Sequence, residues 1–207
     1  MLDFDRNKFN TITTPEECYW LGFIQADGYI PLNKANNPTG VRLKLNSIDE
    51  GHIIKFIHFM NGKEEDFLKH EIHNITNNSL SYAQFNSRQV ADNLGKYGIY
   101  NKKSGKETYI FNLPYQRDYI RGLIDGDGFI CSTRFGVGLV GSYDICSNVQ
   151  LYLLEQLNIK PKKIHPHGKI YKIEYHSKKE VQNICSHLYQ DNDISLDRKL
   201  KLVEKIC

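Results

Sequence analysis

Apolar residues recur first at helical and then at strand spacing, in an order that the chain goes through twice. The first helical stretch opens with Thr14, Pro15 and Glu17, a capping box with proline at the first helical position, and is predicted to run to about Asp27. Val41, Leu43 and Leu45 then alternate with Arg42, Lys44 and Asn46, the period of a strand with one buried face and one polar, basic face. Ile53, Ile54, Ile57 and Phe59, and later Val149, Leu151, Leu154 and Leu157, return to helical spacing and predict amphipathic helices over a sheet's apolar side. Ala83 and Phe85 alternate with Gln84 and Asn86, just as Ile173 and Tyr175 alternate with Lys172, Glu174 and His176.

The order repeats because the sequence repeats. Residues 19–30 (YWLGFIQADGYI) and 119–130 (YIRGLIDGDGFI) are of one type. Ser47 and Asp49 resemble Ser142 and Asp144, and Ser87 with Asn93 resembles Ser177 with Asn183, so the spacing between copies shrinks along the chain. Such drift fits a duplicated fold whose surface loops were trimmed, and PLNKANNPTG at residues 31–40 is a turn-rich loop that lengthens the first copy. Each copy reads helix, strand, strand, helix, strand, strand, helix: an α+β unit in tandem repeat, divided as 1–112 and 113–207. Symmetry predicts a charged strand in the second copy, yet Val137, Leu139 and Gly141 are apolar there.

The two leading helices carry small residues four apart, Gly22 with Ala26 and Gly122 with Gly126, and end in Asp27-Gly28 and Asp127-Gly128. Residues four apart share a face, and side chains this small let two backbones approach, so these faces are expected to pack on each other. A two-fold relation would bring Asp27 and Asp127 together at the negative ends of both helices, which calls for a compensating cation. Oxygen ligands of this kind suit Mg²⁺.

Composition adds exclusions. A chain of 207 residues with 40% hydrophobic and 25% charged content can bury a core and is not a disordered tail. Its net charge of +3 is too small to argue by itself for nucleic acid or membrane. The start lacks a basic segment followed by an apolar run, and no window is apolar enough to span a bilayer, so a non-secreted, cytoplasmic or organellar protein is expected. The five cysteines contain no C-x-x-C pair and read as reduced, mostly buried thiols. The histidines form no zinc spacing; His165 and His167, around Pro166, could bind a metal but read rather as a solvent-facing loop or a contact to a bound partner. YGIY at residues 97–100 matches only half of a known signature motif and is discounted, and no phosphate-cradling G-x-x-x-x-G-K-[ST] occurs.

The segments WLGFIQADG (residues 20–28) and IRGLIDGDG (residues 120–128) resemble the two signature motifs of the LAGLIDADG homing endonucleases, in the single-chain, two-motif form. The resemblance implies two αββαββα halves that meet along the motif helices, with antiparallel sheets forming a saddle on double-stranded DNA. It implies a monomer that cuts both strands across the minor groove, with Mg²⁺ held by Asp27 and Asp127 beside Ala26 and Gly126. Lys103 and Lys199 correspond to the family's accessory lysines, either stabilising charge at the scissile phosphate or simply contacting a phosphate. Ser47 and Ser142 fall where the family has a polar residue organising water, although as residues they read as helix caps, and Asp49 and Asp144 could cap as well. Gln25, where the second copy has Asp125, departs from the motif; that position is expected to point elsewhere, and its loss to leave activity intact.

Base contacts are expected from Arg42, Lys44, Asn46, Gln84 and Asn86 in the first half. In the second they are expected from Thr133, Arg134, Lys172, Glu174 and His176, with thymine methyls against Val137 or Leu139. Phosphate contacts are expected from Lys102, Lys106, Lys162, Lys163, Lys169, Lys178 and Lys179. An RNA maturase holding an intron with the same fold is the alternative. A transcription regulator is disfavoured because no room is found for an appended helix-turn-helix domain.

Overall fold

Helix α1 (Pro15–Asp27) starts at the capping box that the sequence specifies. The Glu17 amide donates to Thr14 Oγ1 at 3.2 Å, and the Thr14 and Thr13 amides donate back to Glu17 Oε2 at 3.0 and 2.8 Å. Three end groups that the first turn would leave without partners are thereby satisfied. The computed structural model describes residues 2–73, 77–101, 105–190 and 193–207. After α1 come β1 (Gly28–Tyr29), β2 (Val41–Asn46), α2 (Glu50–Phe59), a short α3 (Glu64–Phe67), β3 (Lys69–Ile72), β4 (Ser79–Phe85) and α4 (Arg88–Gly95). The second passage gives α5 (Gln116–Asp127), β5 (Gly128–Cys131), β6 (Gly136–Gly141), α6 (Tyr143–Leu157), β7 (His165–His167), β8 (Ile170–Tyr175) and α7 (Lys178–Leu188), followed by α8 (Asp197–Val203). The expected order appears twice, with α3 and α8 as additions.

Among the described residues all strand pairs are antiparallel, and the two four-stranded sheets share one topology, β1-β2-β4-β3 and β5-β6-β8-β7. By compactness the chain divides into residues 1–12 with 27–101, and residues 13–26 with 102–207. In the first unit Val41, Leu43, Ala83 and Phe85 are buried. Phe85 gathers Phe4, Phe56 and Phe67 at ring separations of 5.1, 5.5 and 4.4 Å. In the second, Val137, Leu139, Ile173 and Tyr175 are buried, as are Val149 and Leu153 of α6 and Ile184 of α7. Leu151, expected on the covering face of α6, is 49% exposed, and Leu153 packs inward instead.

The apolar look of β6 has a register explanation. Gly28 pairs with Leu43 and Gly128 with Leu139, so Leu139 is the counterpart of Leu43, and Gly138 that of Arg42. Val137 and Leu139 therefore belong to the buried face and cannot meet thymine methyls. Counting one residue out of register exchanges the faces of a strand. Among the described residues no helix is long and apolar enough to cross a membrane.

A methyl group at Gly122 would overlap the Tyr19 carbonyl oxygen and lie 2.8 Å from the Phe23 amide nitrogen. Gly122→Ala should therefore cost about 3 kcal/mol in a urea titration, and an unchanged midpoint would contradict this packing. Burial pulls the Glu17 carboxyl upward, but its hydrogen bonds from Thr13 and Thr14 outweigh that and hold it below the ordinary range. A depressed folded pKa lends stability that is present above the unfolded value and lost as pH falls through the folded one. Glu17→Gln should be less stable than the parent by about 1 kcal/mol at pH 7, with the gap closing in acid; a constant gap would refute this role.

Candidate metal centre and nucleic-acid interface

Where α1 and α5 cross, both backbones come together at glycine. A Cβ on Gly22 would overlap the Tyr119 carbonyl oxygen and lie 3.1 Å from the Leu123 nitrogen; one on Gly122 would meet the matching atoms of Tyr19 and Phe23. The contact is reciprocal between corresponding residues, as in a two-fold interface. Two tyrosines cross the seam in the same reciprocal way. Tyr19 Oη donates to Asp125 Oδ2 at 2.8 Å, and Tyr119 Oη donates to Gln25 Oε1 at 2.5 Å.

The departure at Gln25 has a physical reason. Asp125 is fully buried and also accepts from Tyr189 Oη at 2.6 Å and the Leu196 amide at 2.8 Å, so its site offers it only donors. At the corresponding place in α1 the neighbour is a carbonyl, that of Thr108, which needs a donor, and Gln25 Nε2 supplies one at 2.8 Å. Burial pushes the Asp125 carboxyl above the usual carboxylate range, against the Lys199 ammonium and the bonds from Tyr189, Leu196 and Tyr19. Asp125 thus faces Tyr19, Tyr189 and the Leu196 amide, and it ties α5 to the segment leading into α8. Arg121, one turn earlier and also buried, adds ion pairs to Asp118 at 2.8 Å and Asp193 at 2.9 Å.

Asp27 is the last residue of α1 and is exposed; Asp127 is the last of α5 and is half-buried, as are Ala26 and Gly126. Each aspartate is followed by the glycine that opens a strand, β1 or β5. Lys199, 2% exposed, directs its ammonium at the carbonyl oxygens of Ile124, Asp125 and Gly128, at 2.6, 2.7 and 2.6 Å. A cation is thereby fixed at the negative end of α5, next to Asp127 in the chain. Lys103 and Lys102 lie outside the described residues. Carboxylate and helix-end carbonyl oxygens are hard donors of the kind Mg²⁺ takes, and Mg²⁺ binds through one or two carboxylates with water completing its shell. This donor chemistry fits the metal. Among the described residues no three His, Cys, Asp or Glu side chains gather around a common metal position.

The sheets present their second faces differently. On the first, Arg42 donates through Nε to Gln84 Oε1 at 2.6 Å and again through Nη2, while Gln84 Nε2 donates to Asn86 Oδ1 at 2.5 Å. Lys44 pairs with Glu71 at 2.7 Å, and Asn46 Oδ1 accepts from the Ile48 amide at 3.1 Å. Arg42, Gln84 and Asn86 are hydrogen-bonded in a row in which Gln84 orients Arg42, and Lys44 and Asn46 have partners of their own. Glu71 escaped the sequence reading because β3 lacks apolar alternation; Tyr82 of β4, whose ring lies 5.4 Å from the Arg42 guanidinium, precedes the Ala83–Asn86 alternation on which that reading rested. On the second sheet Lys172 and Glu174 pair at 3.0 Å, His176 is exposed, and Thr133 and Arg134 sit exposed on the β5–β6 turn. Of the lysines expected at phosphates, Lys162 pairs with Glu180 at 2.8 Å, whereas Lys106, Lys163, Lys169, Lys178 and Lys179 are exposed.

The serines divide. Ser142 caps α6 by accepting from the Ile145 amide at 3.1 Å, and Asp144 accepts from the Tyr109 amide at 2.7 Å. Ser47 caps nothing; Asn46 takes that role, and Ser47 Oγ lies 2.9 and 3.0 Å from the hydroxyls of Ser79 and Ser81. The duplicated strand ends again differ by one position from the sequence alignment.

No family model and no curated protein matches the sequence. Solved structures do match in fold. I-DmoI in complex with DNA and Ca superposes with a TM-score of 0.58 at 14% identity, over 97% of this chain and 98% of that one. The LAGLIDADG meganuclease I-AabMI bound to uncleaved DNA gives 0.57 at 12% identity, over 94% and 89%. Full-length DUF199/WhiA from Thermatoga maritima gives 0.58 at 13% identity, over 97% of this chain and 63% of that one, so the chain spans under two thirds of it. The glycine-crossed helices, the repeated sheet topology and these superpositions agree: the chain has the LAGLIDADG homing endonuclease fold.

Proposed function

We propose that this chain is a sequence-specific, Mg²⁺-dependent endonuclease that hydrolyses one phosphodiester in each strand of a long duplex target across the minor groove. The halves 1–112 and 113–207 are read as duplicated units, acting together as a monomer. The observation that carries the proposal is the reciprocal crossing at Gly22 and Gly122, from which each helix runs five residues further to an Asp-Gly end. Asp27 and Asp127 would hold the metal with help from the carbonyls of Ala26 and Gly126. When bound, Mg²⁺ polarises a phosphate and lowers the pKa of a coordinated water.

The chain's own residues do the rest. Lys199 keeps the end of α5 in place and offsets the negative charge gathered there. Lys103, outside the described residues, is proposed to stabilise charge at the scissile phosphate or to contact a phosphate. Arg42, Lys44, Gln84 and Asn86, with Lys172, Glu174, His176, Thr133 and Arg134, face base edges, and the exposed lysines contact phosphates. DNA in the I-DmoI and I-AabMI structures supports a duplex partner, and Mn or Mg in I-DmoI structures supports a divalent metal. The superposition on DUF199/WhiA is as good as those on I-DmoI and I-AabMI, so the fold does not separate cutting from a second reading, a DNA-binding protein of this fold that does not cut. A maturase holding intron RNA is separated from both by its ligand.

A randomised duplex library incubated with the protein and Mg²⁺ should yield a cleaved subset, and chelation by EDTA should abolish cutting. Asp27→Asn or Asp127→Asn should each lower cleavage at least about a hundredfold while changing affinity for the selected duplex only a few-fold. Undiminished cutting by the double variant would refute the metal assignment. Tight duplex binding with no cleavage under any divalent metal would favour the second reading, and preference for intron RNA over duplex would favour the maturase.

A further inference from the structure

We infer that the outer face of the β5-β6-β8-β7 sheet adds apolar readout to its polar contacts, with Phe129 and Val140 selecting thymine through its C5 methyl group. The inference rests on the duplex-binding reading above. The strand register assigns the face. Phe129 pairs with Gly138 and Gly138 with Glu174, while Val140 pairs with Lys172 and Lys172 with His165, so these residues share one side of the sheet. Their neighbours Val137, Leu139 and Ile173 point to the core.

What β6 offers outward is Gly136, Gly138 and Val140, none with a hydrogen-bonding side chain. In β2 the positions corresponding to Gly138 and Val140 are Arg42 and Lys44. The difference is built in by the aromatic ring. A Cβ on Gly138 would collide with Phe129 Cε1 and come within 2.5 Å of the Ile173 carbonyl oxygen; one on Gly136 would lie 3.2 Å from Phe129 Cε2. The ring therefore lies across both glycines and occupies the space where side chains reading donors and acceptors would stand. Phe129 and Val140 are each half-buried, leaving part of their apolar surface open. Beside them Lys172 and Glu174 neutralise each other at 3.0 Å.

The surroundings say which apolar partner fits. Arg134, Lys163, Lys169, Lys178 and Lys179 are exposed in the same unit, on the turn, loops and helix start around this sheet. An apolar patch among cations suits a partner that is anionic at its edges and presents methyl groups in between. The major groove of a thymine-containing duplex has that chemistry, and thymine is the one base that displays a methyl there. Contact with a methyl excludes water from apolar surface on both sides, worth about a fourfold change in affinity per group.

The test uses the full chain in EDTA, so that binding is read without cutting. A duplex is selected from a random library, and each of its thymines is then replaced in turn by deoxyuridine, which removes only the methyl. One or two replacements should weaken binding about threefold to fivefold. Val140→Ala or Phe129→Leu should abolish that penalty at the same positions, leaving replacements elsewhere unaffected. Deoxyuridine penalties that neither variant alters, or the absence of any penalty on a tightly bound duplex, would overturn the inference while duplex binding stands, and would leave the face to a protein partner. Failure to select any duplex would instead overturn the duplex reading and this inference with it.

Discussion

The close crossing of α1 and α5 is the constraint on which the rest depends. Two helices can approach backbone to backbone only where neither carries a Cβ, and Gly22 and Gly122 meet that condition reciprocally, each against the other helix's tyrosine carbonyl. Once that point is fixed, helical geometry fixes what lies beyond it. The same helices that make the seam end in the two Asp-Gly pairs, and the strands that begin there lead into the two sheets. The Gly22–Gly122 packing lies five residues before an Asp-Gly end on each helix, so the chemistry proposed for Asp27 and Asp127 rests on the packing at the glycines.

The two copies share this seam but secure it differently. Asp125 is a buried carboxylate surrounded by the donors Tyr19, Tyr189 and Leu196, a set that is costly to break because removing any partner leaves charge or donors unsatisfied in the interior. Gln25 bridges Tyr119 and the Thr108 carbonyl without charge. Lys199 and Arg121 reinforce the α5 side with a buried ammonium and a buried guanidinium. The second motif helix is therefore held by ionic groups at its end and middle, and the first by a neutral amide. The sheets diverge in a similar way, with a hydrogen-bonded polar row beside Arg42 on one and a phenylalanine laid over glycines on the other.

Much of this was legible in the residues. The capping box at Thr14 and Glu17, the alternation at Val41 to Asn46, the duplicated Asp-Gly helix ends and the glycines Gly22 and Gly122 at the seam each have a local physical cause, and each appears in the fold. Register was not legible, because it is set by strand pairing rather than by local preference. A one-residue slip between copies placed Val137 and Leu139 on the wrong face and matched Ser47 with Ser142, although only Ser142 caps a helix. The roles of Asp125 and Gln25 were hidden for a related reason: they depend on Leu196 and Thr108, residues about seventy and eighty positions away that no spacing rule connects. Leu151 failed in the α6 face because Leu153 took the inward position.

The central claim is that the carboxylates ending α1 and α5 act on one inorganic centre at the target phosphates. Anomalous diffraction from crystals of the full chain with its selected duplex and Mn²⁺ addresses it directly. Manganese density within coordination distance of both Asp27 and Asp127, and of a backbone phosphate, is the predicted result. Manganese bound elsewhere, or carboxylates held apart by intervening protein with the metal touching neither, would contradict it.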